Sequence, residues 1–134
     1  MKEITKIMCL QFNLKRLGYD FTGYEIDKKV SLSYHHLIIP KRNGGKETVD
    51  NGAILVRETA HDYIHRIEEI DYDVFCAITS EMIDENIKGY LDKENLRKIN
   101  DILNLFEREH CGDRTSRGNP LIKEEYIKKR IRSW

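Results

Sequence analysis

Two short apolar stretches, separated by a polar loop and followed at once by a helix-like segment, constrain this chain more than any other feature. Residues 32–39 (LSYHHLII) are β-branched and aromatic, and Pro40 stops them, which reads as a strand. Residues 41–50 (KRNGGKETVD) are polar, with Gly44-Gly45 at the tip, and residues 52–57 (GAILVR) read as the returning strand. A helix is expected to begin near Glu58 or Thr59 and to run through His61 and His65 toward Glu69. The unit over 32–69 is therefore strand, long loop, strand, helix.

The rest reads mainly as helix. In residues 2–17, Ile4, Ile7, Met8 and Leu10 have helical spacing, which Phe12 and Leu14 blur. Gly18 and Thr22-Gly23 mark a turn, and 24–31 fits either a short strand or an extended arm. Residues 72–90 repeat Val74, Phe75, Ile78, Met82 and Ile83 at the helical period, and Asp92 is placed to cap a further helix carrying Leu96, Ile99, Leu103 and Phe106. Residues 111–120 (CGDRTSRGNP) read as loop and 123–132 as a short basic helix. The expected fold class is α+β. A single domain would span 1–134, with its core at 32–69 among four to five helices and a mostly helical part at 70–134.

With 40% hydrophobic and 34% charged residues, the 134-residue chain is neither collagen-like nor wholly disordered. No apolar run approaches the roughly 20 residues of a membrane helix, and no apolar core of a secretory signal follows Met1. A soluble, cytoplasmic protein with no membrane partner is expected. Cys9, Cys76 and Cys111 are too scattered for a disulfide framework or a cysteine-rich zinc knuckle. The net charge is zero but segregated. Residues 1–57 hold ten Lys/Arg against six Asp/Glu, residues 58–112 six against fourteen, and residues 113–134 seven against three. Local basic patches thus remain available to a polyanion.

Of five histidines, His35, His36, His61 and His65 fall within 31 residues. His61 and His65 are four apart, so on a helix both imidazoles leave one face and can share a divalent ion. His35 and His36 are adjacent on a strand and must point to opposite faces, so both cannot reach one ion. The pattern suggests three imidazole ligands and one free histidine. A zinc peptidase motif H-E-x-x-H is not met, because Asp62 is a methylene too short and no third ligand follows at a recognisable distance.

Tyr34-His35-His36-Leu37-Ile38-Ile39-Pro40, Gly44-Gly45, Asn51-Gly52-Ala53-Ile54-Leu55 and His61-Asp62-Tyr63-Ile64-His65, in that order, resemble an HNH (His-Me finger, ββα-metal) endonuclease. The paired histidines and the helical H-x-x-x-H are most similar to the three-histidine site of nuclease colicins. The resemblance covers residues 34–65, about a quarter of the chain, and implies a ββα-metal core. It implies that His36 is the general base, that His35, His61 and His65 hold one divalent ion, and that Asn51 ties the loop to the strand and orients His36. An imidazole can accept a proton near neutral pH. The ion would offset charge on the phosphate and the leaving 3′-oxygen, giving 5′-phosphate and 3′-hydroxyl ends. A three-imidazole shell suits Zn, Ni or Mn better than Mg. The two C-x-x-C pairs that bind structural zinc in many HNH proteins are absent here, as is the cysteine-bearing turn before the helical histidine.

Lys41, Arg42, Lys46 and Arg57 flank the expected site and are candidates for phosphate contact, with a solvated loop as the plain alternative. Arg114, Arg117, Lys128, Lys129, Arg130 and Arg132 could grip a nucleic-acid backbone or neutralise the acidic middle region. His110 reads as a surface or packing histidine. The expected function is a metal-dependent endonuclease acting on nucleic acid, DNA rather than RNA. The alternative is a non-catalytic, metal-stabilised nucleic-acid-binding or interaction module. Strandedness, sequence specificity and oligomeric state leave no trace in the pattern.

Overall fold

In the computed structural model, which describes residues 1–110 together with Arg130 and Ile131, strands β1 (Leu32–His36) and β2 (Gly52–Val56) pair antiparallel. Leu32 lies opposite Val56, and His36 opposite Gly52. β1 ends three residues earlier than its apolar content implies. The N–H groups of Ile38 and Ile39 instead donate to Asn51 Oδ1, at 3.0 and 2.9 Å, so a side chain takes the place of the ladder and both isoleucines are left exposed. Gly52 is set by close approach. A Cβ there would stand 2.1 Å from the Tyr34 ring, which only glycine admits.

All five residues of β2 are buried. Its outer edge is covered by the turn after Gly18. Val56 N–H donates to Asp20 Oδ2 at 2.9 Å, and Phe21 N–H donates to the Ile54 carbonyl at 3.3 Å. Asp20 Oδ1 accepts from Thr22 N–H, the Thr22 hydroxyl and Tyr24 N–H. Burial nevertheless pushes its carboxyl above the usual range. Most of 24–31 is irregular, with Tyr24 bridged to Arg130 and Glu25 to Tyr19.

The helix expected over 2–17 is two helices, α1 (Glu3–Gln11) and α2 (Leu14–Leu17). Asn13 breaks them with φ 59°, and the break turns both Phe12 and Leu14 into the core. That is why the periodicity blurs there. A π-helical turn (Arg57–His61) leads from β2 into α3 (Asp62–Ile70), followed by α4 (Tyr72–Lys88) and α5 (Lys93–His110). Asp71 caps α4 by accepting from Val74 N–H, and Asp92 accepts from Glu94 N–H at the start of α5.

Tyr63, Ile64 and Ile67 of α3, Ile78 and Met82 of α4, and Leu96, Ile99, Leu103 and Phe106 of α5 form the core with Ala53, Ile54, Leu55 and Val56 of β2. Asn86 of α4 pins the start of β2, donating to the carbonyls of Val49 and Gly52 at 2.6 and 2.7 Å. The described residues thus make an α+β fold of five helices and one two-stranded antiparallel sheet. No helix among them is long and apolar enough to cross a membrane. The loop expected at 111–120 lies outside the described residues, as does the basic helix expected at 123–132 apart from Arg130 and Ile131; so do Arg114, Arg117, Lys128, Lys129 and Arg132.

Candidate metal centre

Strand alternation places Ser33 and His35 on one face of β1 and Tyr34 and His36 on the other. Helical spacing brings His61, from the end of the π-helical turn, and His65, one turn into α3, against the Ser33–His35 face. His35 Nδ1 lies 3.2 Å from His61 Nε2, and His65 Nε2 lies 3.1 Å from the same atom. One ligand atom from each of the three imidazoles falls within 4.8 Å of the others, so His35, His61 and His65 could hold a metal ion. The two closest separations match the edge of about 3.3 Å between nitrogens bound at about 2.0–2.1 Å in a tetrahedral zinc site.

The outer ring nitrogens of His61 and His65 are partnered in a way that favours this use. His61 Nδ1 lies 2.6 Å from Ser33 Oγ, whose own proton is donated to the Leu55 carbonyl at 3.4 Å. The hydroxyl can then accept from a His61 Nδ1–H, the tautomer that leaves the Nε2 lone pair at the convergence. His65 Nδ1 lies 3.3 Å from Glu68 Oε1 and can donate to it, leaving Nε2 as the electron-pair donor. Outer partners of this kind fix the tautomer of metal-binding histidines. His35 is 2% exposed, and its Nε2 has no partner among the described residues.

Burial, reinforced by His61, His65 and His36, lowers His35 to about 3. Burial and the neighbouring His65 lower His61 to about 4. Both are therefore neutral at pH 7, the form that donates an electron pair.

His36 stands apart from the trio. Its ring meets Tyr34 edge-on at 4.9 Å, and its Nε2 is without a partner among the described residues. Asn51 is buried and ties the intervening loop to β2. Besides accepting from Ile38 and Ile39, it donates through Nδ2 to the carbonyls of Ile39 and Lys46, both at 3.1 Å. The Tyr34 hydroxyl donates to the Thr48 carbonyl at 2.6 Å and closes the loop further. A Cβ at Gly45 would fall 1.9 Å from the Ile39 carbonyl oxygen, so this glycine, too, is fixed by close approach.

His35, His36, His61 and His65 all line one groove of about 1310 Å³. Of the four basic residues expected to flank the site, Lys41, Arg42 and Arg57 line it. Lys46 does not. Its carbonyl accepts from Asn51 Nδ2, and the next residue, Glu47, lines the groove instead. Lys2, whose ammonium pairs with Glu47 at 2.8 Å, also lines the groove. Sequence reasoning missed Ser33 and Glu68, although their offsets were informative: two before His35 on a strand, and three after His65 on a helix.

A second group, Asp71, Glu109 and His110, also brings three possible ligand atoms together. There Asp71 is already used as the α4 cap, and the His110 ring packs 4.5 Å from Phe106. Arg130 is buried against Glu107 and not displayed for a polyanion. Comparison of the chain with protein-family models, curated proteins and solved structures found no match.

Proposed function

We propose that this chain is a metal-dependent endonuclease of the HNH kind, hydrolysing phosphodiester bonds in DNA. The observation that supports the reading best is the division of labour among four histidines in one groove. Three bring ring nitrogens together, and the fourth, one residue along β1, is kept out of that set by strand alternation. His35, His61 and His65 would hold one divalent cation, and three imidazole donors favour a transition ion over magnesium. Such an ion supplies electrostatic stabilisation for the negative charge that builds on the phosphate and the leaving oxygen.

The remaining work falls to the chain itself. His36, whose side chain lines the groove, takes the proton from the attacking water; its Nε2 is buried and has no competing partner among the described residues. Asn51 holds both ends of the loop behind His36 and so fixes the strand end that carries it. Lys41, Arg42 and Arg57 contact phosphates on either side of the scissile bond.

The test is nicking of supercoiled plasmid by wild type and His36→Ala in EDTA and with Zn, Ni, Mn or Mg added singly. The expected result is ion-dependent nicking that falls at least 100-fold in His36→Ala, in the range of a lost general base. Equal cleavage by both proteins removes His36 from its role. No cleavage with any ion leaves the trio as a metal-stabilised interaction module.

A further inference from the structure

The groove carries a feature that metal binding and proton transfer do not use. Tyr72, the first residue of α4, lines it and is 61% exposed despite its size. Its ring stacks on Phe75 with centroids 5.8 Å apart and planes 27° from parallel. Phe75 is half-buried and meets the His35 ring edge-on at 6.3 Å. A continuous path of rings therefore runs from the histidine trio to an open aromatic face. Arg42, on the short turn that follows Pro40, lines the same groove. An open aromatic plate and an arginine thus line the same groove as the histidines.

Every nucleobase offers a π-face, but in a duplex both faces are covered by neighbouring pairs. A plate supported from behind by Phe75 can engage only a base that has left its stack, and an arginine lining the same groove can hold the phosphate attached to it. Resting on the nuclease reading above, we infer that Tyr72 and Phe75 form a stacking subsite for one unpaired nucleobase beside the scissile phosphate. The preferred substrate is then single-stranded or locally unpaired nucleic acid, not regular duplex.

The probe is a fluorescent 12-nucleotide single strand and the blunt duplex of the same sequence, titrated by anisotropy in EDTA so that no strand is cut. Wild type, Tyr72→Ala and Tyr72→Phe are compared. Tyr72→Ala is expected to bind the single strand about tenfold or more weakly, the loss typical of one stacked base. Tyr72→Phe is expected to stay within about twofold of wild type, because the ring is the active element, and Tyr72→Ala to leave duplex binding unchanged. The subsite is overturned if Tyr72→Ala binds the strand as wild type does, or if it weakens strand and duplex alike. Absence of strand binding by wild type also overturns it. Should plasmid nicking survive in that case, the failure is confined to the subsite; if nicking is absent as well, the nuclease reading falls with it.

Discussion

Helix α3 carries two polar clusters on opposite faces, and they are assembled by opposite rules. On one face the Tyr63 hydroxyl donates to Glu107 Oε2 at 2.8 Å. The Arg130 guanidinium donates to the same carboxylate at 2.5 and 2.7 Å, and to the side-chain carbonyls of Asn100 and Asn104 at 3.0 and 2.7 Å. Cation meets anion there, and the planar fork is matched by acceptors. On the other face three imidazoles meet one another, and no carboxylate is hydrogen-bonded to the nitrogens at their convergence. The first cluster is complementary within the chain and serves to lock α3, α5 and residue 130 together. The second is a set of like donors with one focus, complementary only to an electron-pair acceptor from outside. Burial of polar groups does not by itself distinguish a site from a strut; the matching of donors to acceptors does.

The largest expected effect breaks the complementary cluster. Arg130→Met leaves Glu107 buried without its cation and should cost about 3–5 kcal/mol in urea unfolding. The cost should be the same in EDTA and in zinc, because the pair lies on the far face of α3 from the histidines. A loss that zinc restores would mean that the two clusters are not independent. The histidine trio should behave in the reverse manner. At zinc concentrations about 100-fold above its dissociation constant, wild type should gain about 2.7 kcal/mol over the EDTA state. His61→Ala should keep its stability in EDTA to within about 1 kcal/mol yet gain less than about 1 kcal/mol from zinc, read by thermal unfolding with and without the ion. An undiminished zinc response in His61→Ala would place the ion elsewhere in the chain.

Local pattern carried the strands, the long helices and the grouping of the histidines, because each is written in residues at fixed offsets. The i, i+4 spacing of His61 and His65 and the alternation at His35 and His36 survive folding unchanged, since helix and strand periods dictate them. What sequence did not reveal depends on side chains acting across the chain. Asn51 ends β1 by offering Ile38 and Ile39 another acceptor, so the apolar run at 37–39 misleads. Asn13 breaks the first helix because its left-handed backbone lets Phe12 and Leu14 both be buried. Asp20, more than thirty residues from Val56, covers the edge of β2 with a carboxylate that local pattern treats as part of a turn. The choice between two roles for Arg130 needed its long-range partners, Glu107, Asn100 and Asn104.

The finest distinction between the two faces of α3 lies in a single hydroxyl. In the complementary cluster a hydrogen bond contributes by satisfying a buried group, whereas the Ser33 hydroxyl, 2.6 Å from His61 Nδ1, is placed to select which nitrogen of His61 holds the proton. Ser33→Ala removes that decision without touching the three ligand atoms. His61 can then carry its proton on Nε2 as readily as on Nδ1, and an ion must displace the unfavourable tautomer before it binds. Zinc affinity should therefore fall about 10- to 100-fold, the range seen when outer partners of metal-binding histidines are lost. Stability in EDTA should move by only about 1 kcal/mol, since one modest hydrogen bond is lost. Competition with a chromophoric chelator measures the affinity directly, with Ser33→Thr as the control that keeps a hydroxyl. An affinity unchanged in Ser33→Ala would mean that the protein does not preset the His61 tautomer and that the ion selects it on binding; the trio would then be a ligand set without outer-shell orientation at its central member.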